Sequence, residues 1–188
     1  MLRERIARFF WLFRSIGFNA FGKKSLIFRP MRIIGKAHIE IGKSVTILNN
    51  ARIEVKEENS RCVFLKIGDY SSFGQNLHLI ANQNVTIGSN VVISSNVFIS
   101  DLHHDYSEPN INALDKKCII IPTIIGDYSF VGFGAVIMPG VNLGKNCVVG
   151  ANSVVLKGNY GDGVVLAGVP AKIIKKYNQA TNKWEKVS

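Results

Sequence analysis

The residues best suited to catalysis cluster in one polar stretch, residues 101–123. His103 and His104, two of the four histidines, lie there beside Asp101 and Asp105. An imidazole titrates near neutral pH, so it can accept a proton from a hydroxyl as that oxygen attacks. Either aspartate could orient the imidazole, and the spacing leaves the choice between them open. The stretch therefore predicts a histidine general base that acts on a hydroxyl group.

Metal and covalent chemistry fit the same sequence less well. Adjacent histidines do not easily direct both rings to one ion, so we expect no metal site. The chain also lacks the GxSxG motif of a nucleophile elbow. Its three cysteines, Cys62, Cys118 and Cys147, have no CxxC spacing and an odd count, which predicts neither a zinc site nor a disulfide framework. They fit a protein of a reducing compartment.

Most of the remaining chain repeats a pattern every six residues. Its aliphatic or aromatic members form one downstream series and two upstream series: Ile125, Val131, Ile137, Leu143, Val149 and Val155; Ile67, Phe73, Leu79 and Val85; Ile87, Ile93 and Ile99. A period of six fits neither an α-helix nor one long strand. It predicts an all-β solenoid in which each hexapeptide forms a short strand and a corner, with three hexapeptides in each triangular coil.

Two further positions of the repeat support this interpretation. Small or slender residues stand two positions before the downstream aliphatic ones, and Cys147, one of them, is therefore expected to be a packed structural cysteine. Asparagine stands three positions after the repeat residue at Asn90, Asn96, Asn146 and Asn152. Because asparagine tolerates left-handed backbone conformations, these positions are expected to form corners.

The repeat divides the chain into three parts. We expect the solenoid over residues 31–170, with residues 101–123 excluded from it as a long protruding loop. Residues 1–30 are expected to form an amphipathic helical segment, since apolar side chains recur there at helical spacing. Residues 171–188 are expected to form a short, basic helical tail. Long loops on rigid scaffolds are common sites of function, which favours the loop histidines as catalytic groups.

The charge of the chain is concentrated at its two ends. The formal net charge is +10, but residues 37–171 contain nine basic and eleven acidic residues. Residues 1–36 contain nine basic residues and one acidic residue, and residues 172–188 contain five and one. This distribution argues against a nucleic-acid binder, which would carry a continuous basic surface. The N-terminal apolar run is too short to span a bilayer and shows no signal-peptide pattern, so we expect a cytoplasmic protein.

Two motifs carry a resemblance to a known family. His104–Pro109, with the sequence HDYSEP, resembles a segment of the sugar O-acetyltransferases that modify colanic acid, O-antigen and capsule saccharides. Ala167–Lys172, with the sequence AGVPAK, resembles the signature that closes the solenoid of that family. Over residues 67–176 the chain is similar to the hexapeptide-repeat acyltransferases. The resemblance implies a left-handed parallel β-helix, a homotrimer with active sites between neighbouring subunits, and acetyl-CoA as the cosubstrate.

The resemblance also implies roles for individual residues. The general base falls on His104, with His103 as the alternative because the alignment can shift by one residue. Acceptor contacts are expected near Asn76, Asn82 and Tyr106. Contacts with coenzyme A are expected at seven positions: Phe133, Gly134, Gly150, Ala151, Leu156, Lys157 and Lys172. One of these departs from the family, since many relatives have Thr or Ser in place of Leu156.

The function implied is direct transfer of an acetyl group to a sugar hydroxyl in cell-surface polysaccharide biosynthesis, with no covalent acyl-enzyme. The acceptor would be a lipid-linked or nucleotide-linked saccharide, and a helix of residues 1–24 could hold the enzyme at the inner face of the membrane. An N-acetyltransferase that acts on an amino sugar is the close alternative. A metal-dependent hydratase of the same fold would need an HxxxxH arrangement, which the chain lacks. A non-catalytic scaffold would show no affinity for coenzyme A.

Overall fold

The chain forms a left-handed parallel β-helix, the fold that the period of six and the family resemblance predict. The computed structural model describes residues 16–55, 64–112 and 114–187. The strands within these ranges are β1 (Ala20–Phe21), β2 (Leu26–Ile27), β3 (Arg32–Ile34), β4 (Ile39–Ile41), β5 (Thr46–Ile47), β6 (Arg52–Val55), β7 (Leu65–Ile67), β8 (Ser72–Phe73), β9 (His78–Ala81), β10 (Val85–Ile87), β11 (Val92–Ile93), β12 (Phe98–Ser100), β13 (Leu102–His104), β14 (Cys118–Ile120), β15 (Thr123–Ile125), β16 (Phe130–Val131), β17 (Val136–Ile137), β18 (Val141–Leu143), β19 (Val148–Val149), β20 (Val154–Val155), β21 (Gly158–Gly161), β22 (Val164–Gly168), β23 (Ala171–Asn178) and β24 (Lys183–Lys186). One 3₁₀ turn, Lys36–His38, lies between β3 and β4.

Three sheets form the faces of a triangular prism. Sheet A has the order β1-β4-β7-β10-β15-β18-β21, and sheet C has the order β3-β6-β9-β12-β17-β20. Sheet B has the order β2-β5-β8-β11-β16-β19-β22-β23-β24. Each complete coil contributes one strand to each sheet, and successive coils pair in parallel, as where Ile99 lies between Leu79 and Ile137.

The register of the coils stacks the repeat residues inside the prism. Leu79, Ile99 and Ile137 are fully buried, as are most other residues of the three series. Cys147 is buried among them, and burial raises the pKa of its thiol. The prediction of an inward aliphatic ladder is therefore confirmed, and Cys147 is part of its packing.

The corners of the prism use the left-handed backbone conformation that the asparagines were expected to supply. The four corner asparagines named above have φ between +54° and +61°. Two corners matter for the site. We call the turns between sheets B and C, such as residues 132–135 and 150–153, the B–C corner. We call the turns between sheets C and A, such as residues 82–84, 138–140 and 156–157, the C–A corner.

The expected insertion leaves the prism at the C–A corner, between β12 and β15. It begins and ends as an antiparallel ribbon in which Leu102, His103 and His104 pair with Ile120, Ile119 and Cys118. The hydrogen bond from the Ile121 amide to the Asp101 carbonyl, 2.7 Å, closes the base of this ribbon. The histidines therefore stand on paired backbone, whereas the sequence predicted only a loop.

The expected helical tail is wrong. Residues 171–178 form β23, which turns back antiparallel along β22, and residues 183–186 form β24 beside it. The apolar side chains of Ala171 and Ile173 explain the difference, because they cover the open end of the core. A strand that extends sheet B buries them there and pairs its backbone at the same time.

The predicted helical segment of residues 1–30 is wrong for the part that the structure describes. Ile16 lies in a turn, Ala20 begins β1, and β1 pairs with β4 to open the first coil. Leu26 and Ile27 enter the core, so the solenoid starts before residue 31. Residues 1–15 lie outside the described residues. Among the described residues, the structure contains no helix long and apolar enough to cross a bilayer.

Candidate active site

The two loop histidines point to different partners. His104 lies opposite Cys118 in the ribbon, and its Nδ1 is 3.8 Å from the Cys118 Sγ. His103 lies opposite Ile119, and its Nδ1 is 3.2 Å from the carbonyl oxygen of His104. The imidazole of His104 is exposed, and its contact with sulfur leaves Nε2 as the nitrogen that can meet an acceptor hydroxyl. Both rings engage Nδ1 and leave Nε2 for a substrate, so it is the greater exposure of His104 that favours it over His103 as the candidate base.

Asp101 is fully buried at the base of the ribbon. One carboxylate oxygen accepts a hydrogen bond from the Asn82 amide at 2.9 Å, and the other accepts bonds from the amides of Gln83 at 2.8 Å and Asn84 at 2.9 Å. Its own carbonyl accepts the bond from Ile121 already described. The side chain of Asp101 therefore ties the ribbon to the turn of residues 82–84 in the coil below.

Asp105 is used inside the loop. Its Oδ1 accepts a hydrogen bond from the Ser107 amide at 2.9 Å, and this bond lowers the pKa of the carboxyl. The Asp105 amide donates to the Lys117 carbonyl at 2.9 Å. Within the described residues, Asp101 accepts bonds from backbone amides and Asp105 from Ser107, so neither aspartate is hydrogen-bonded to an imidazole, and Asp105 acts on His103 only through its charge.

The loop beyond the histidines encloses a polar cleft. Tyr106 is 83% exposed, and its ring centroid is 6.4 Å from that of His103. The cleft has a volume of about 270 Å³ and is lined by Asp105, Ser107, Glu108, Ile111, Asp115, Lys116 and Lys117. Tyr106 is therefore open to solvent beside His103.

Four of the predicted coenzyme A residues form a ridge along the B–C corner. Phe133 and Gly134 lie in the turn after β16, and Gly150 and Ala151 lie in the turn of the next coil. Gly134 has φ +67°, and a Cβ at this position would collide with the Asn152 side chain. Stacking of the next coil therefore requires glycine at this position, and the half-exposed Phe133 is the large side chain among these four residues.

The other three predicted coenzyme A residues are divided between two corners. Lys172 pairs with Ala167 next to the turn that follows β22, at the end of the B–C ridge. Leu156 and Lys157 lie instead at the C–A corner. A Cβ on Gly140 would be 2.9 Å from the Cγ of Lys157 and 2.8 Å from a methyl group of Ile121, so the stem of Lys157 packs beside the base of the ribbon.

The predicted acceptor residues are also divided. Asn82 lies at the C–A corner under Asp101, and its side-chain oxygen is buried without a hydrogen bond among the described residues. Asn76 lies at the B–C corner, where its amide group donates to the Asn96 side chain at 2.8 Å. The structure therefore joins Asn82 to the histidine ribbon and separates Asn76 from it.

The two corners are separated by the width of sheet C. From Gly134 to Gly140 the chain advances six residues, which span at most about 20 Å in extended backbone. Strand β17 lies between the B–C ridge and the corner from which the histidine ribbon leaves the prism. They stand at two edges of the same face.

Known proteins with similar sequences identify the family. Residues 122–157 match the family model described as the hexapeptide repeat of succinyl-transferase. Galactoside O-acetyltransferase of Escherichia coli K12 is 32% identical over 152 residues, which cover 68% of this chain and 71% of that protein. The chain belongs to the hexapeptide-repeat acyltransferases. WbbJ of the same strain, whose name assigns it provisionally to O-acetyl transfer in lipopolysaccharide biosynthesis, is 39% identical over 129 residues. The match covers 65% of this chain and 62% of WbbJ, less than two thirds of that relative's length.

Solved structures share the fold of this hexapeptide-repeat acyltransferase. AntD, an N-acyltransferase from Bacillus cereus solved with dTDP and 3-hydroxybutyryl-CoA, superimposes with a TM-score of 0.72 at 23% identity, over 90% of this chain and 89% of AntD. The hexapeptide-repeat acetyltransferase VCA0836 from Vibrio cholerae superimposes with a TM-score of 0.64 at 22% identity, over 92% and 82% of the two chains. At these identities the likeness shows the fold alone.

Cys118 is a neighbour of the candidate base that the sequence did not single out. Its contact with His104 depends on antiparallel pairing of the two ends of the insertion. A weak signal for that pairing was present, because Leu102 and Ile120 bracket the polar loop with apolar residues. Reading the ends of the loop as a ribbon would have placed the thiol opposite His104.

Alkylation of Cys118 should inactivate the enzyme if His104 is the base. The carbamidomethyl group left by iodoacetamide would fill the space beside Nδ1 and displace the ring, so we expect a loss of kcat of about a hundredfold, the lower end of the usual range for general-base catalysis. The measurement is residual acetyl transfer together with mass spectrometry of the peptide that contains Cys118. A Cys118→Ala variant, treated in the same way, should keep its activity. Equal inactivation of the two proteins would contradict the placement of the thiol beside the base.

Proposed function

We propose that this protein transfers an acetyl group from acetyl-CoA to a hydroxyl of a saccharide, in the biosynthesis of a cell-surface polysaccharide. The observation that carries the proposal is the exposed imidazole of His104 on a ribbon anchored by buried Asp101. A general base must be held in position and must also be open to its substrate. Anchoring by Asp101 supplies the first condition and exposure of Nε2 supplies the second.

The reaction would proceed by direct attack while both substrates are bound. Nε2 of His104 takes the proton of the acceptor hydroxyl as the oxygen attacks the thioester carbonyl carbon. In the matching tautomer, Nδ1–H faces the Cys118 sulfur. Collapse of the tetrahedral intermediate breaks the carbon–sulfur bond, and the proton held by the imidazole passes to the departing thiolate. Backbone N–H groups of a facing coil would stabilise the oxyanion.

The B–C ridge fits the cosubstrate. Gly134 and Gly150 add no side chain to the ridge, which suits a narrow pantetheine chain, and Phe133 offers an apolar surface beside them. Lys172 stands at the end of the ridge, where its charge can pair with a phosphate. Coenzyme A or an acyl derivative of it is bound in the solved AntD complexes, which supports the same class of cosubstrate here.

The separation of the two corners supports the expected homotrimer. A base at the C–A corner and a cosubstrate on the B–C ridge can meet when a neighbouring copy brings its ridge to the ribbon. The outer face of sheet B carries an apolar row suited to such a contact, formed by Val92, Phe130, Val148 and Val165. Val92 and Phe130 are 44% and 43% exposed in the single chain. Association would remove these side chains from water.

Transfer to an amine is the second candidate, because AntD is an N-acyltransferase solved with a thymidine nucleotide. The same imidazole could accept a proton from an amino group, so the arrangement at His104 does not separate the two reactions. The acceptor would then be a nucleotide-linked amino sugar. A location at the inner face of the membrane stays part of the proposal for either acceptor.

The test is release of free thiol from acetyl-CoA by the full chain in the presence of a panel of acceptors. The panel contains neutral oligosaccharides, nucleotide-linked sugars and nucleotide-linked amino sugars. We expect thiol release with a hydroxyl acceptor and an ester in the product by mass spectrometry. If an amide forms, and only with amino sugars, the protein is an N-acetyltransferase instead. If no acceptor raises the rate of thiol release above the rate measured without acceptor, both functions are wrong.

A further inference from the structure

The C-terminal hairpin, β23 and β24, carries a basic and aromatic face that the proposed transfer reaction does not use. Lys175 lies directly opposite Lys186, and Tyr177 lies directly opposite Trp184. Side chains two residues apart on a strand point to the same side, so these four side chains share one face of the hairpin. We call it the Lys–Trp face.

The charges of the Lys–Trp face are not balanced within the described residues. Neither Lys175 nor Lys186 has a carboxylate within 4 Å there. Glu185, the one acidic residue of the hairpin, points to the other face, where Asn178 and Thr181 donate hydrogen bonds to it at 2.9 Å. Like charges directly opposite each other across a strand pair are destabilising. An external anion between the two lysines would remove that cost.

The aromatic pair makes the same face apolar beside its charges. The rings of Tyr177 and Trp184 are 5.4 Å apart in an edge arrangement, and each residue is 40% exposed. Tyrosine and tryptophan flanked by lysine is the combination that favours the interface between water and the acyl chains of a bilayer. The aromatic rings enter the headgroup region while the ammonium groups remain with the phosphates.

The shape and position of the Lys–Trp face indicate which class of partner binds it. Small ligands bind in concave sites, whereas this face lies on a two-stranded ribbon whose outer strand is exposed at all four residues. A nucleic acid would need a basic track, and residues 37–171 have more acidic than basic residues. The ribbon is the last element of sheet B, at the end of the prism opposite β2. A flat anionic surface meets these constraints.

We propose that the Lys–Trp face docks this protein on anionic phospholipid membranes. This site differs from the N-terminal segment that the sequence analysis considered. With strands about 4.8 Å apart, β2 and β24 lie roughly 40 Å from each other along sheet B. Lys175 lies opposite Val165, so the Lys–Trp face continues the outer face of sheet B beyond the end of the apolar row that the trimer would cover.

The test uses the full chain and vesicles of phosphatidylcholine with or without phosphatidylglycerol. The wild type should co-sediment with the anionic vesicles only. Replacing both lysines of the face (Lys175→Gln and Lys186→Gln) should weaken binding about thirtyfold, since each lysine near an anionic surface contributes roughly a fivefold factor. The matched control replaces Lys176 and Lys183 with glutamine, which removes the same charge from the opposite face. We expect it to bind within about threefold of the wild type.

A second measurement tests whether the aromatic pair enters the bilayer. In a Trp11→Phe background, Trp184 is the sole tryptophan of the chain. Its emission should shift to shorter wavelength on anionic vesicles and be quenched by brominated lipid. Equal losses in the two lysine pairs, equal binding to neutral vesicles, or an unchanged Trp184 emission would overturn the proposal. So would tighter binding of a single-stranded oligonucleotide through the same lysines. The assays contain no acetyl-CoA or acceptor, so their outcome is independent of acetyl transfer.

Discussion

Replacing His104 with alanine should lower kcat for acetyl transfer at least about a hundredfold, within the usual range for loss of a general base. The reason is geometric as well as chemical. His104 is exposed on the ribbon and faces Cys118 through Nδ1, which leaves Nε2 for the acceptor. His103 also leaves its Nε2 open, but its side chain is less exposed than that of His104, so a His103→Ala variant should keep kcat within about tenfold of the wild type.

The two histidine variants control for each other because they remove the same side chain from adjacent positions of one strand. The measurement is steady-state kinetics with acetyl-CoA and the acceptor that the panel identifies. Unfolding temperature and oligomeric state should match the wild type in both variants. A His104→Ala enzyme with near-normal turnover, or a His103→Ala enzyme with the larger loss, would contradict the assignment of the base.

The parts of the fold that repeat could be predicted from the sequence because one physical constraint recurs in each coil. The interior of a triangular prism accepts an aliphatic side chain at every sixth residue, and Leu79, Ile99 and Ile137 meet that demand. The corners need a left-handed residue, which Asn96 and Asn152 supply. Period and residue type are both visible in a single sequence.

The elements that the sequence did not predict depend on contacts between distant segments. Residues 171–178 have a mixed basic and apolar pattern that fits a short helix, but the open end of the core and the free edge of β22 turn them into a strand. The role of Asp101 was hidden for a similar reason. Its three amide partners lie in residues 82–84, and only the stacking of two coils brings them together.

The position of Cys118 and the division of the predicted ligand residues between two corners also depend on contacts between distant segments. Spacing along the chain placed Asn76 and Asn82 six residues apart, which in a solenoid means adjacent corners of one coil. Sequence distance therefore concealed a separation across sheet C. The resemblance names candidate residues, but their positions relative to one another depend on how the coils stack.

Replacing Asp101 with asparagine should lower the free energy of unfolding by about 3 kcal/mol, since hydrogen bonds to a buried charged acceptor contribute roughly 1.5–3 kcal/mol each. Asparagine keeps the shape but puts an NH₂ group where a carboxylate oxygen now faces an amide donor. The turn of residues 82–84 would then have buried N–H groups without an acceptor. Because this turn anchors the ribbon, we also expect kcat to fall about tenfold through misplacement of His104.

The effect of the Asp101 change can be separated from a general loss of charge by the matched variant Asp105→Asn. Asp105 is more exposed and accepts one amide bond, so its replacement should lower the free energy of unfolding by less than about 1 kcal/mol. Denaturant unfolding gives both values, and hydrogen exchange at the amides of residues 82–84 should rise only in the Asp101 variant. Because the B–C ridge lies at the other edge of sheet C from this turn, the KM for acetyl-CoA should change little. Unchanged protection of these amides would show that the ribbon is held by other contacts.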